Sequence, residues 1–380
     1  MQANPIWPIK SSFPTLEKDV RCDILIVGAG IAGISSAYYL MQKGYDVIVI
    51  EEDEIGSGAT GASSGTLYFG TGLDVSSTIE IHGEKNTKII WDETKESINI
   101  IEQLIKKYSI DCGFKNPGAI SVAKTEEEVD HLLNNSKNLK TLGFSSEFLE
   151  QDQVKDFFKS RDFIAGLREP CMQLKPALFC SELSKASGIN VFSKSPMLDF
   201  KKGESIVVNT PKARIKCSNL VIATNIKPIF GLENHCYIEN TTIVASQVMK
   251  DKIKEIWNKD TILWTVDDKY DILYTEDNRA MLDLFTSKGI DDKINFYYPS
   301  SGFKKEFIYG DSWFDTEDKM PILGNTKNLP EGSENINVAI AMGDQGIVTG
   351  FTSGRKIPLL MKNIKDTFLD LSSPNRFNAI

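Results

Sequence analysis

Three glycines near the start of the chain constrain its fold more than any other feature. A short apolar run at 23–27 ends at Gly28, Gly30 and Gly33, and a helix-like stretch follows as far as Gly44. A second apolar run at 47–50 then ends at Glu51. Glycines at this spacing, between a strand and a helix in a βαβ unit of about 30 residues, are typical of a dinucleotide-binding turn. The sequence therefore predicts the α/β class, with a doubly wound, Rossmann-like parallel sheet.

Each residue of this turn has a physical role in binding a dinucleotide. Gly28 permits the tight turn, Gly30 lets the backbone approach a pyrophosphate, and Gly33 lets the helix pack closely on the strand. The helix N-terminus then faces the phosphates. Glu51 is placed to accept hydrogen bonds from ribose hydroxyls. Because an acid at this point argues against a cofactor with a 2′-phosphate, the candidate cofactors are FAD and NAD. The same turn includes Ala29, Ile31 and Ala32.

Composition excludes several classes of protein. The chain has 380 residues and a formal charge of −9, which fits an ordinary globular protein of about two domains. No stripe of clustered Lys and Arg is present, so we expect no nucleic-acid partner. Six scattered cysteines without a C-x-x-C pair favour free thiols in a reducing compartment. No apolar run approaches the ~18 residues of a membrane span and no secretory leader is recognisable, so we expect a cytoplasmic protein.

The remaining pattern predicts further elements of both types. Residues 237–308 alternate strand-like runs with one helix near 251–257, which predicts a separate, mostly antiparallel layer. A last strand at 337–341 meets a glycine-rich loop at 343–346, and a helix follows toward Asp366. Other predicted helices are 76–108 (one or two helices), 125–142 and 176–188, and other predicted strands are 118–123 and 219–224.

Four stretches carry a resemblance to a known family. The segment 51–65, EEDEIGSGATGASSG, resembles the second signature of the D-amino-acid-oxidase-like FAD-dependent oxidoreductases, which include glycine, sarcosine and gamma-glutamylputrescine oxidases. Ala223-Thr224-Asn225 is similar to the turn that closes a later strand of the FAD domain. The stretch 316–324 resembles the family's T-x-D-x-x-P-x-x-G segment, and 343–346 followed by Gly354 resembles its loop and final helix beside the isoalloxazine ring.

The resemblance implies non-covalent FAD and a discontinuous FAD-binding domain. Ala62 and Asp311 stand where some relatives carry a flavin-linking His or Cys. The expected FAD-binding domain comprises 1–112, 166–228 and 309–380, and 113–165 and 229–308 form an inserted substrate domain with a mostly antiparallel sheet. Besides the glycine turn and Glu51, the implied cofactor-binding residues are Glu52, Thr60, Gly61, Ala62, Ser63, Ser64, Gly65, Met197, Ala223, Thr224, Gly324, Gly343, Gly346, Ile347 and Val348.

The absence of positively charged side chains at three positions of the family pattern bears on the class of substrate. The family's amino-acid oxidases clamp the substrate carboxylate with Arg, but the matching positions here are Trp313 and Asp344, and Val348 replaces the Lys of sarcosine oxidases. Asp344 would repel a carboxylate and attract an ammonium group, which favours a small amine substrate of polyamine or modified-amine type. Asp344 capping the last helix is an equal alternative. The candidate catalytic residues are Asp344, Gln345, Trp313 and Tyr309.

Other interpretations stay open at this point. The aromatic residues Trp264, Tyr270 and Tyr274 either line the substrate slot or belong to the core. Arg279 or Lys319 holding a carboxylate would make the protein an α-amino-acid or N-methyl-amino-acid oxidase. A flavoprotein subunit with little activity of its own is a third possibility. Electrons would pass from the reduced flavin to dioxygen or to another acceptor.

Overall fold

The computed structural model describes residues 7, 12–158, 163–225, 230–249, 260–266, 271–275, 277–284, 288–298, 302–310 and 312–379. The strands are β1 (Val20–Val27), β2 (Val47–Ile50), β3 (Thr66–Leu67), β4 (Ala119–Ala123), β5 (Glu147–Glu150), β6 (Ala165–Glu169), β7 (Met172–Gln173), β8 (Asn190–Phe192), β9 (Asp199–Lys201), β10 (Ile206–Asn209), β11 (Arg214–Ile222), β12 (Tyr237–Asn240), β13 (Thr242–Ser246), β14 (Ile262–Thr265), β15 (Asp271–Tyr274), β16 (Ala280–Leu284), β17 (Lys305–Tyr309), β18 (Ser312–Asp315), β19 (Ile322–Asn325) and β20 (Ile336–Ile340). The helices are α1 (Ile31–Met41), α2 (Ala59–Ala62), α3 (Val75–Tyr108), α4 (Glu126–Leu142), α5 (Gln151–Lys155), α6 (Pro176–Ser187), α7 (Ile290–Tyr297), α8 (Gly346–Met361) and α9 (Thr367–Ser372).

The first large sheet is built around the predicted βαβ unit. Its main order is β19-β20-β11-β1-β2-β8, and the neighbours from β20 to β8 pair in parallel. Strands β19, β10 and β9 add antiparallel edges. Strands β1 and β2 read as nearly continuous apolar runs because both of their faces are covered. The α/β class with mixed sheets is therefore confirmed.

Helices α1 and α8 pack closely over one face of this sheet. Gly354 faces α1 so tightly that an added Cβ would lie 2.0 Å from the Ser35 hydroxyl oxygen, and the Ser35 hydroxyl donates to the Gly350 carbonyl at 3.2 Å. This contact fixes the N-terminus of α8 near the glycine turn that begins α1. The helix after Gly346 ends at Met361, not near Asp366 as the sequence predicted, because Asp366 instead caps α9 by accepting from the Leu369 N–H at 3.1 Å.

The second large sheet has the order β17-β13-β16-β15-β14-β4-β6-β5 and is antiparallel except where β14 meets β4. Its strands come from two separate stretches of chain, β4–β6 and β13–β17. The layer predicted for 237–308 is thus confirmed in its antiparallel character, while the helix predicted near 251–257 lies outside the described residues. The predicted domain boundaries stay a prediction.

Local signals set the helix ends that the sequence predicted. The Thr125 hydroxyl accepts from the Glu128 N–H at the start of α4, and Gly143 ends that helix with a φ of +84°. The stretch predicted as one or two helices is α3, which changes direction at Gly83, where φ is +74°. Within the described residues, none of the helices combines the length and the apolarity needed to cross a bilayer.

Candidate active site

The glycine turn between β1 and α1 is shaped by close backbone contacts. A Cβ added to Gly28 would lie 2.5 Å from the Ala223 carbonyl oxygen, and a Cβ added to Gly33 would lie 1.9 Å from the Gly28 carbonyl oxygen. At Gly30 the nearest atom is the Thr60 hydroxyl oxygen, 3.0 Å away, and this oxygen accepts from the Ile31 N–H at 3.0 Å. The turn is therefore tied to the second signature through the Thr60 hydroxyl, and its three glycines place no side chain at the N-terminus of α1, where a pyrophosphate would bind.

Glu51 is held in place at the end of β2. Its Oε2 accepts from the Ala29 N–H at 2.7 Å and its Oε1 accepts from the Asp53 N–H at 3.0 Å. Burial raises the pKa of Glu51, and the two backbone donors partly offset that effect. Each carboxylate oxygen keeps a second lone pair, so the side chain still has capacity to accept hydrogen bonds from ribose hydroxyls.

One cavity of about 1420 Å³ joins this turn to the second sheet. It is larger than a typical small-molecule site, and it runs from the glycine turn past the second signature to the loop before α8. Most of the cofactor-binding residues that the sequence indicated line it: Gly28, Gly30, Ile31, Ala32, Glu51, Glu52, Thr60, Ala62, Ser63, Ser64, Met197, Ala223, Thr224, Gly343, Gly346 and Ile347. The cradle fits a dinucleotide of the size of FAD.

The remaining indicated residues lie behind the lining. Gly61, Gly65 and Gly324 are packed so tightly that an added Cβ would lie 2.3 Å or less from Gly56, Leu174 and Pro374, respectively. Val348 is buried within α8. Ala29 and Gly33 act through the backbone contacts described above. Asp311, like the aromatic Tyr270, lies outside the described residues.

Three of the four candidate catalytic residues line the cavity, namely Asp344, Gln345 and Trp313. Asp344 packs against Gly72, where an added Cβ would lie 2.8 Å from the Asp344 Cβ. The N-cap residue of α8 is Gln345, not Asp344. Tyr309 is buried in the core instead, with its hydroxyl 3.9 Å from the Met281 sulfur.

The second sheet contributes a row of side chains to the cavity. Leu167, Ser121, Trp264, Asp271 and Asp283 are paired one after another across β6, β4, β14, β15 and β16, and all five line the cavity. Directly paired residues of neighbouring strands point to the same face of a sheet. The row therefore forms one wall of the cavity, opposite the loops of the first sheet.

The two acids in this row were not among the residues indicated by the sequence. Asp271 and Asp283 are direct cross-strand partners, so two carboxyl groups lie side by side. Burial raises the pKa of both, and the neighbouring carboxylates Asp283 and Asp344 raise that of Asp271 further. The available signal was one acid in each of two otherwise apolar strand-like runs, YDILYT and RAMLDLF.

A third acid lies further along the same wall. Glu169 is 8% exposed and accepts a hydrogen bond from the Tyr68 hydroxyl, and both residues line the cavity. Burial raises the pKa of Glu169 to about 7, although the Tyr68 hydrogen bond opposes the shift. The Tyr68 ring in turn makes an edge contact with Trp264, with ring centroids 4.8 Å apart.

Basic groups in the described lining are few and engaged. Lys194 pairs with Asp53 at 3.2 Å, and Lys319 pairs with Asp315 at 2.7 Å and contacts the Tyr237 hydroxyl. His131 lies 3.7 Å from Asp74. No arginine is present among the lining residues that the structure describes. Arg279 lies elsewhere and is bonded to Asp277 and Glu306.

A dinucleotide cradle of this type, opening into a chamber under an antiparallel sheet, is the architecture expected of a flavin-dependent oxidoreductase. Residues 23–357 match the family model of the FAD dependent oxidoreductases (DAO), and the chain belongs to this family. The resemblance found in the sequence is confirmed, and FAD is the cofactor of the family.

Individual relatives agree with this assignment. The chain is 31% identical over 220 residues to the probable oxidoreductase OrdL of Haemophilus influenzae and 27% identical over 218 residues to the gamma-glutamylputrescine oxidoreductase of Escherichia coli. Each match covers 56% of this chain and 51% of the relative, so the chain matches about half the length of these curated proteins. Glycine oxidase from Geobacillus kaustophilus has the same fold, with a TM-score of 0.78, 19% identity, and coverage of 93% of this chain and 98% of that one.

Proposed function

We propose that the protein oxidises a C–N bond of an amine, of polyamine or modified-amine type, with FAD held non-covalently in the cradle. A hydride leaves the α-carbon while the nitrogen lone pair forms the C=N bond. Water then converts the imine to a carbonyl compound and an amine. When bound, FAD supplies the acceptor for the hydride and its two electrons. Dioxygen or another carrier would reoxidise it.

The observation that carries this proposal is the charge of the substrate end of the cavity. Asp344, Asp271 and Asp283 line it, whereas no arginine does among the described residues. Carboxylates attract a cationic substrate and repel a carboxylate. The 27% identity to gamma-glutamylputrescine oxidoreductase supports an amine, and the fold match to glycine oxidase is equally compatible with an amino acid.

The protein's own residues bind and orient the amine. Asp344 attracts the ammonium group toward the N-terminal end of α8, and Trp264 and Trp313 provide aromatic surface for an alkyl chain or a cation. Gln345 contributes a polar contact, and Gly346 leaves room near the flavin ring. Hydride loss needs a neutral nitrogen and correct orientation rather than a strong base, so the site requires no catalytic histidine.

We assign the cofactor to the first sheet and its loops. The glycine turn from Gly28 to Gly33 and Glu51 would bind the pyrophosphate and the adenosine ribose, and the segment from Thr60 to Gly65 would lead to the flavin. This assignment keeps the proposed discontinuous domain, with the second sheet as the substrate domain. Precipitation of the purified protein with acid tests the non-covalent attachment. All of the flavin should stay in the supernatant, and flavin in the pellet would contradict the assignment.

The main alternative is oxidation of an α-amino acid or N-methyl-amino acid. It requires a cation for the carboxylate, and the two candidates are Arg279 and Lys319. Arg279 is occupied by Asp277 and Glu306 outside the lining, and Lys319 is paired with Asp315. These contacts favour an amine substrate over an amino-acid substrate.

An anaerobic titration of the flavin spectrum tests the proposal. Alkylamines, polyamines, acylated polyamines and amino acids are added in turn to the FAD-loaded protein. Bleaching by amines alone supports the proposal, bleaching by amino acids alone overturns it, and no bleaching by any compound favours a subunit of a larger enzyme. Asp344→Asn should raise the half-saturating amine concentration about tenfold, with Asp152→Asn, at an exposed position, as the matched control. Equal half-saturation in both variants would remove Asp344 from the site.

A further inference from the structure

The Asp271–Asp283 pair is costly to the sheet that contains it. The two residues are direct partners on β15 and β16, and like charges in this position destabilise a sheet. Hydroxyl groups surround the pair: Thr66 donates to Asp271 Oδ2 at 3.3 Å, and Thr241 donates to Asp283. Among the described residues, neither carboxyl has an ion pair with a basic side chain. Stability of the fold therefore does not explain why two adjacent acids occupy these positions.

The surroundings of the pair indicate a ligand that donates hydrogen bonds. Both carboxyls line the cavity that also contains the cofactor cradle. Gln345 lines the same cavity, and its amide oxygen is a buried acceptor without a hydrogen-bond partner among the described residues. An orphaned buried acceptor indicates a missing donor. Acceptors on two separate elements, a strand pair and the loop before α8, therefore face one space.

We propose that the Asp271–Asp283 pair binds a nitrogen of the substrate that stays protonated throughout the reaction, and that the substrate therefore has two basic nitrogens. This inference rests on the proposed function. The nitrogen that is oxidised must be neutral, because its lone pair forms the C=N bond. Two adjacent carboxylates stabilise the charged form of an amine instead. The nitrogen at the pair is thus an anchor, and a second nitrogen of the same molecule reacts.

Proton release is the signature of such an anchor. Burial raises the pKa of both carboxyls, and the negative charge of Asp283 raises that of Asp271 further, so the free pair keeps a shared proton to a higher pH than an isolated carboxyl does. Within the part of the chain that the structure describes, the other titratable groups that act on the pair are Asp344 and the buried Cys171, and neither supplies a positive charge. A cation bound between the carboxyls replaces the shared proton, so binding releases it to the buffer.

Calorimetry with butylguanidine measures this release. Its guanidinium stays charged at neutral pH, so any proton released comes from the protein. Titrations of the FAD-loaded protein in two buffers of different ionisation enthalpy should show release of about one proton per cation bound. Asp271→Asn and Asp283→Asn should each bind about tenfold more weakly, and the double variant should release no proton. Asp152→Asn should behave as the wild type. Zero release by the wild type, or full release by the double variant, overturns the proposal.

A chain-length series tests the substrate class separately. Straight α,ω-diamines should reduce the flavin at concentrations about tenfold below those of monoamines of equal length, and Asp271→Asn should abolish this advantage. Equal use of monoamines and diamines by the wild type overturns the anchor but leaves amine oxidation intact. Failure of every amine to bleach the flavin contradicts the proposed function, while the proton count still decides whether the pair binds a cation.

Discussion

The Tyr68 hydroxyl donates a hydrogen bond to the Glu169 carboxylate at the wall of the cavity. Glu169 lies on β6 of the second sheet, and Tyr68 follows the second signature directly after β3. The bond therefore joins the second-sheet wall of the cavity to the segment that we propose leads to the flavin. Burial raises the pKa of Glu169 from its ordinary value of 4.5 to about 7, so this carboxyl changes charge near neutral pH.

The raised pKa of Glu169 predicts a pH-dependent stability. The folded protein binds this proton more tightly than the unfolded chain, so stability falls as pH rises from about 4.5 to 7. Glu169→Gln removes the titration. As pH rises across that window, the free energy of unfolding of the variant should increase relative to that of the wild type by up to about 3 kcal/mol. Melting temperatures at pH 5, 6.5 and 8, with FAD in excess, measure the gap. The exposed control Glu147→Gln should show no such trend. Parallel melting curves for wild type and Glu169→Gln would refute the assignment.

Glu51 should contribute strongly to FAD affinity. In Glu51→Gln an amide nitrogen replaces one of the two oxygens that accept backbone N–H groups, so a donor faces a donor at Ala29 or Asp53. We expect FAD to bind at least about tenfold more weakly, measured by quenching of FAD fluorescence on titration with apoprotein. Glu17→Gln, at an exposed position, is the control. Equal dissociation constants in the two variants would contradict this role of Glu51.

The elements that could be predicted from the sequence depend on local signals. The βαβ unit is encoded by two apolar runs, the glycines between them and the acid at its end, all within residues 23–51. The caps of α4, Thr125 and Gly143, are equally local. The end of α8 was missed because Asp366 is also a good cap for a following helix, and the sequence does not decide which helix continues.

The acidic wall could not be predicted because long-range pairing creates it. Asp271 and Asp283 become neighbours only when β15 and β16 pair, and they reach the cavity only because β14 pairs with the distant β4. An acid in an apolar strand signals a special position but not the face to which it points. Tyr309 illustrates the same gap, since its strand β17 directs it into the core.

Gly33 should tolerate no side chain. The Cβ of an alanine would lie 1.9 Å from the Gly28 carbonyl oxygen, a backbone atom that cannot move without opening the turn. Gly33→Ala should therefore lose most of its FAD and melt at least about 5 °C below the wild type, or fail to accumulate in soluble form. Gly203→Ala is the matched control, because its nearest neighbour is 3.7 Å away. Normal FAD content and melting temperature in Gly33→Ala would contradict the proposed cradle.

Arg279 should stabilise the second sheet without affecting substrate binding. Its guanidinium donates to Asp277 at 2.8 Å, to Glu306 at 2.6 Å and to the Ser246 carbonyl at 2.8 Å, and it lies over the Phe307 ring. Arg279→Ala should lower stability by about 1–3 kcal/mol, because the loss leaves charged hydrogen bonds unmade. The amine concentration for half-maximal flavin reduction should change less than about twofold. Melting temperature and anaerobic titration measure the two effects, with the exposed Arg214→Ala as control. Loss of flavin reduction by amino acids, at unchanged stability, would instead make Arg279 a carboxylate anchor and support the amino-acid alternative.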